Sequence, residues 1–133
     1  MGEPELVSVW VGTFKDKNAF DAYLKEQEGN LDAPLNQLCK DFEMEWYDHD
    51  YQDTAGLISA QPITPEEAFA KESHLKIKDE AVKAAKKFGI ESFNALFVLH
   101  ADAGVPFEPD AKFAGRKING VPMIFLGTFS YRS

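Results

Sequence analysis

Asn94-Ala95-Leu96-Phe97-Val98-Leu99-His100-Ala101 is the stretch on which the fold turns. Its inner residues are apolar without a break, as suits a strand at the centre of a sheet. A second β-rich segment, Leu6-Val7-Ser8-Val9-Trp10-Val11, ends at Gly12 and predicts another strand. Near the end of the chain, Asn119-Gly120 is a hairpin turn signal, and Val121–Tyr131 supplies the last strand, with Met123, Phe125 and Phe129 expected inward. Further strands are expected over Leu57–Ile63, where Pro62 argues for an edge or a strand end, and over Phe113–Ile118.

Helical patterns lie between these strands. Thr13 and Asp16 resemble a capping box, after which Phe20, Tyr23, Leu24 and Gln27 keep helical spacing up to Gly29-Asn30. Leu35, Leu38 and Cys39 predict a short helix after Pro34. Thr64-Pro65-Glu66-Glu67 is a helix start, with Thr64 capping and Glu67 at the capping-box position, and that helix is expected to run through Glu72. Asp79-Glu80 opens another, which Lys83, Lys86 and Lys87 populate towards Gly89, as the helix dipole prefers. Residues 102–110 carry Gly and two prolines and read as a loop. Trp10–Phe14 and Phe125–Phe129 look alike, but two short matches do not make a repeat architecture. Irregular alternation of strands and helices, with hairpin signals late in the chain, predicts an α+β fold: a mixed or antiparallel sheet with helices packed against it. No linker divides residues 1–133, so a single domain is expected.

Composition narrows the function classes. Hydrophobic residues at 44% and charged residues at 27% match neither a disordered chain nor a membrane protein. The net charge is −8 and the pI about 4.8, which disfavours DNA and anionic membrane as partners because both require positive surface. Residues 1–60 hold 13 acids against 4 bases, and residues 61–133 hold 9 against 10. This bias is either accidental within one fold or the mark of one acidic face. Cys39 is the only cysteine, so no internal disulfide forms. Met-Gly-Glu-Pro-Glu lacks the basic and apolar regions of a signal peptide, and Leu6 breaks the myristoylation pattern. A cytoplasmic address is expected.

The functional reading centres on Asp41-Phe42-Glu43-Met44-Glu45-Trp46-Tyr47-Asp48-His49-Asp50-Tyr51-Gln52-Asp53. Six carboxylates repel one another here unless something positive answers them. The aromatic residues among them supply the contact area that anchors interfaces. Alternation over Glu43–Tyr47 predicts a half-buried strand, with Trp46 and Met44 inward and both glutamates outward, followed by a loop from Asp48 to Gly56. Trp10 and Trp46 are assigned to the core by these strand positions. An acidic surface with aromatic anchors suits a basic protein partner.

Other chemistries fit the residues less well. Asp48, His49, Asp50 and Asp53 could bind a divalent cation in a small metal-dependent hydrolase, but the EF-hand template fails at Asp53 and Ser59, where it requires Gly and Glu. Cys39 has no nucleophile signature around it, and its spacing with Leu35 points to core. His49, His74 and His100 are its candidate bases, of which His100 ends an apolar strand and His74 reads as a surface residue. No phosphate loop, nucleophile elbow, zinc spacing or dinucleotide fingerprint occurs. Lys76, Lys78, Lys83, Lys86 and Lys87 read as a solvated helix face, interrupted by Asp79 and Glu80. A generic acidic interaction module fits the same surface.

Val9-Trp10-Val11-Gly12-Thr13-Phe14, the helix with Phe20, Tyr23 and Leu24, and Trp46-Tyr47-Asp48-His49-Asp50-Tyr51 together resemble a bacterial family classed as immunity protein 22. The Asp79-Glu80-Ala81-Val82 helix, the Asn94–Ala101 strand and the closing Phe-Leu-Gly-Thr-Phe are similar to it as well, so the order of motifs over most of the chain carries the match. The resemblance implies a cytoplasmic, non-enzymatic α+β protein from a polymorphic-toxin locus, one that binds a cognate toxin domain and blocks it, without a cofactor. Many toxin domains act on nucleic acids and present basic surfaces, so the expected partner is a basic toxin domain, a nuclease among the possibilities. Glu43, Glu45, Asp48, Asp50 and Asp53 are then expected to supply charge, and Tyr47 and Tyr51 contact.

Overall fold

The computed structural model describes residues 5–26, 34–71 and 76–131. Among the described residues four strands form one antiparallel sheet: β1 (Glu5–Gly12), β2 (Gln52–Leu57), β3 (Ala95–His100) and β4 (Met123–Tyr131), in the order β2-β3-β1-β4. The two apolar segments take the central places, where both faces are covered. Val9 pairs with Val98 and Trp10 with Phe97 across β1 and β3. Across β1 and β4, Trp10 pairs with Phe125 but Val9 with Gly127, so Leu126 is an extra residue in a β-bulge. This slip puts Met123 and Phe125 on one face and Phe129 on the other, packed with Leu126 and Val7.

The sheet carries a core on each face. On one, Trp10, Phe97, Leu99, Met123 and Phe125 meet Phe20 and Tyr23 of α1 (Lys17–Leu24), Leu38 and Cys39 of α2 (Gln37–Asp41), and Phe42, Tyr47 and Phe113. On the other, Val7, Val9, Val11, Leu96 and Val98 meet Ala68 and Phe69 of α3 (Pro65–Lys71), Ala81 and Ala85 of α4 (Lys78–Lys87), and Ile77 just before it. Full burial of each large apolar side chain contributes about 1.5–3 kcal/mol. The fold is α+β, as the strand and helix signals predict.

Local chemistry explains the helix ends. Asp16 caps α1 by accepting from Ala19 N at 2.9 Å, a role expected of Thr13. Thr64 Oγ1 accepts from Glu67 N at 3.2 Å and donates to the Glu67 carboxylate at 3.2 Å. At the end of α4, Gly89 N donates to Lys86 O and Ile90 N to Ala85 O, a Schellman motif whose left-handed residue is Gly89 at φ 74°. Gln27, Gly29-Asn30, Glu72 and His74 lie outside the described residues.

Three strand expectations are corrected. Glu43–Tyr47 is not a strand, because its backbone is claimed locally: Met44 N donates to Cys39 O of α2 at 2.8 Å, and Glu45 O accepts from Leu35 N, ahead of α2, at 3.2 Å. The strand expected over Leu57–Ile63 lies earlier, at Gln52–Leu57, and Ile63 makes only an isolated bridge with Phe93. Phe113–Ile118 is not a strand either. Ala111–Phe113 forms a 3-10 turn, and Ala114 alone bridges Phe125. Among the described residues no helix is long and apolar enough to cross a membrane.

Candidate partner-binding surface

Residues 41–53 leave helix α2, run along the core that α1 and α2 share with the sheet and enter β2, and each carboxylate meets a different setting. Asp41 is tied inward, accepting from Tyr23 Oη and from Gln37 Nε2, both at 2.8 Å. Glu43 sits at φ 55°, the left-handed position of a second Schellman motif in which its own N donates to Lys40 O, and its carboxylate lies 3.2 Å from Lys112 Nζ. Glu45 is exposed. Asp48 accepts from Asp50 N at 2.9 Å and so starts the 3-10 turn His49–Tyr51. Asp50 is exposed, 3.4 Å from His49 Nε2, while His49 Nδ1 lies 3.7 Å from Glu26. Asp53 Oδ2 is 2.5 Å from His100 Nε2, across the β2–β3 pair.

The aromatic residues exchange their expected places. Tyr47, expected at the contact surface, is 1% exposed, its ring 5.5 Å from that of Phe97. Its hydroxyl accepts from Asn36 Nδ2 at 2.8 Å, and Asn36 also caps α2 by accepting from Cys39 N. Burial holds the Tyr47 phenol well above its ordinary value, against the opposing effect of the Asn36 hydrogen bond. Trp46, expected in the core, is 57% exposed. The reversal follows from the Glu43 turn: with no pleat to keep a two-residue period, the inward residues are Phe42, Met44 and Tyr47. Trp10 is fully buried, as its strand position predicts, and its Nε1 has no hydrogen-bond partner among the described residues.

Tyr51 is half-buried and donates to Asp102 Oδ1 at 3.1 Å. That hydrogen bond, with the Asp102 charge behind it, raises the phenol above its ordinary value. Phe107 lies against both exposed-side aromatics, 6.1 Å from Trp46 and 5.8 Å from Tyr51 between ring centroids. Asp102 and Phe107 are invisible to a reading of 41–53. The available signal was the pair of apolar residues, Val105 and Phe107, inside a Gly- and Pro-bearing loop.

The four residues weighed as metal ligands do not converge. Asp48 caps its own turn and Asp53 faces His100, and among the described residues no three His, Cys, Asp or Glu side chains form a group able to hold a metal ion. Cys39 is buried in the core, and burial pushes its thiol up to about 11. Lys78, Lys83, Lys86 and Lys87 are exposed on α4, and Lys86 Nζ lies 3.1 Å from Glu66 of α3. An exposed pair of this kind contributes under about 1 kcal/mol.

Nothing matches the chain among curated proteins or solved structures. A family model described as immunity protein 22 matches residues 7–132, nearly the whole length. The match takes in β1 from Val7 onward, β3, helices α1 to α4 and the acidic segment. The chain therefore belongs to the immunity protein 22 family.

Proposed function

We propose that this protein neutralises a cognate toxin domain by occupying a basic surface on it, through a face built around residues 43–53. Glu43, Glu45, Asp48, Asp50 and Asp53 supply the charge, and Tyr51 supplies contact. Tyr47 acts from beneath, holding the segment in place through Asn36. The action is occupancy and requires no bond-making step, cofactor or metal. Its place is the cytoplasm, where a newly made toxin meets its inhibitor, and its partner is a protein, not nucleic acid or membrane. The whole of residues 1–133 works as a single domain in this reading.

Membership of an immunity family is the observation that carries the proposal. The charge distribution adds to it: an acidic surface facing a basic one steers encounter and raises association rates by about 10 to 1,000-fold at low salt. A toxin whose substrate is nucleic acid needs that basic surface for its substrate, so an acidic inhibitor excludes the substrate directly.

Co-expression tests the role. Bacteria carrying the adjacent upstream reading frame are expected to die, and to survive when this chain is made with it. Charge reversal of Asp48→Lys with Asp50→Lys is expected to slow association by about tenfold or more, while the loss of the Asp48 cap costs about 1 kcal/mol or less of stability. Unaltered association kinetics in that double variant would remove the acidic segment from the interface.

A further inference from the structure

The two large apolar side chains that stand out of the described surface are Trp46, 57% exposed, and Val105, 68% exposed. They come from distant parts of the sequence, and a chain of contacts links them: Trp46 to Phe107, Phe107 to Tyr51, Tyr51 to Asp102, and Asp102 to Val105. Phe107 meets the Trp46 ring edge to face, with an interplanar angle of 78°. Val105 closes a tight turn in which Asp102 N donates to Val105 O at 3.0 Å and Val105 N donates back at 2.9 Å. Ala103 and Gly104 at its tip have φ of 50° and 83°, the left-handed pair of a two-residue hairpin turn. Tyr51 braces the base of this turn through Asp102.

The loop is pinned on its far side as well. Glu108 accepts from Thr128 Oγ1, and Thr128 shares a hydrogen bond at 3.1 Å with the buried Ser8 of β1. Phe107 is thus held between the Tyr51–Asp102 contact and the Glu108–Thr128 contact. A side chain ordered before binding loses little freedom on binding. A single exposed apolar residue needs no explanation, but a tryptophan braced by Phe107 and a valine at the base of a braced turn, with Glu45, Asp48, Asp50 and Asp102 near them in the chain, have the composition of an interface anchor with a charged rim.

We infer that Trp46 and Val105 form the apolar anchor of this surface, and that the partner is a basic protein face with an apolar recess that receives Trp46. This rests on the toxin-binding reading above and adds the 102–107 loop to it. The two sets of residues do different work: the carboxylates govern association, and the anchor governs dissociation.

The test is binding kinetics between the full-length protein and the purified toxin domain encoded by the adjacent upstream reading frame. Trp46→Ala and Val105→Ser are each expected to raise the dissociation rate by about tenfold or more, with association changed by less than about threefold. Both side chains are exposed, so circular dichroism and melting temperature should match the parent, and Trp46→Phe should recover most of the affinity. Parent-like dissociation in both alanine and serine variants, with the parent binding, overturns the anchor and leaves the toxin-binding reading standing. Failure of the parent itself to bind overturns the toxin-binding reading, and the anchor with it.

Discussion

Glu43 shows how one residue redirects a segment. Its φ of 55° ends α2 in the position that glycine usually takes, and an L-residue with a β-carbon there costs about 1 kcal/mol or more. Its carboxylate gains an exposed contact with Lys112, which returns less than about 1 kcal/mol. Glu43→Gly is therefore expected to stabilise the protein by about 0.5–1 kcal/mol, read as a higher urea midpoint. A lower midpoint would show that the Lys112 contact outweighs the backbone strain. The same residue accounts for the exchange of Trp46 and Tyr47. The apolar–polar alternation of 43–47 is real, but the amide of Met44 is taken by the α2 carbonyl of Cys39, so no neighbouring strand sets the period.

Among the elements, those that carry their own end signals were legible. Thr64 and Glu67 start α3 and Gly89 ends α4 through hydrogen bonds between near neighbours in sequence. Thr64→Ala should cost about 1 kcal/mol, measurable by denaturant titration. An unchanged midpoint would mean that Pro65 and the packing of Phe69 hold the helix start without the cap. β2 was not legible. Gln52-Asp53-Thr54-Ala55-Gly56-Leu57 has neither β-branched enrichment nor alternation, and it is a strand because β3 offers it a pairing edge. Phe113–Ile118 lies by the open edge of β4 but bridges it only between Ala114 and Phe125, because Ala111–Phe113 winds into a 3-10 turn and Gly115 is left-handed at φ 70°.

For the molecule as a whole, the core on the α1–α2 side of the sheet holds three ionisable groups in their protonated forms. Burial raises the Cys39 thiol from an ordinary value of 9.0 to about 11. Burial also raises Tyr23, reinforced by its hydrogen bond to Asp41, and Tyr47. In the unfolded chain these groups release their protons first, so the native state binds more protons at alkaline pH and stability falls as pH rises. The contribution is intact below pH 9 and lost between about 9 and 11 for Cys39, where it amounts to about 3 kcal/mol. Melting temperature should therefore drop over that interval, and Cys39→Ala should flatten the part due to the thiol. An equal alkaline drop in the alanine variant would assign the effect to the tyrosines alone.

The α+β class, the two central strands and the capped helices α3 and α4 follow from patterns that act over a few residues: apolar runs, capping side chains and a terminal glycine. The candidate surface follows from contacts across the sequence. The carboxylates of 41–53 could be named from composition, but which aromatic faces solvent depends on how α2 ends and on Phe107, which arrives from the far side of β3. Hydrogen-bond competition for one backbone amide and the docking of one distant loop decide it, and neither is a local property of the chain.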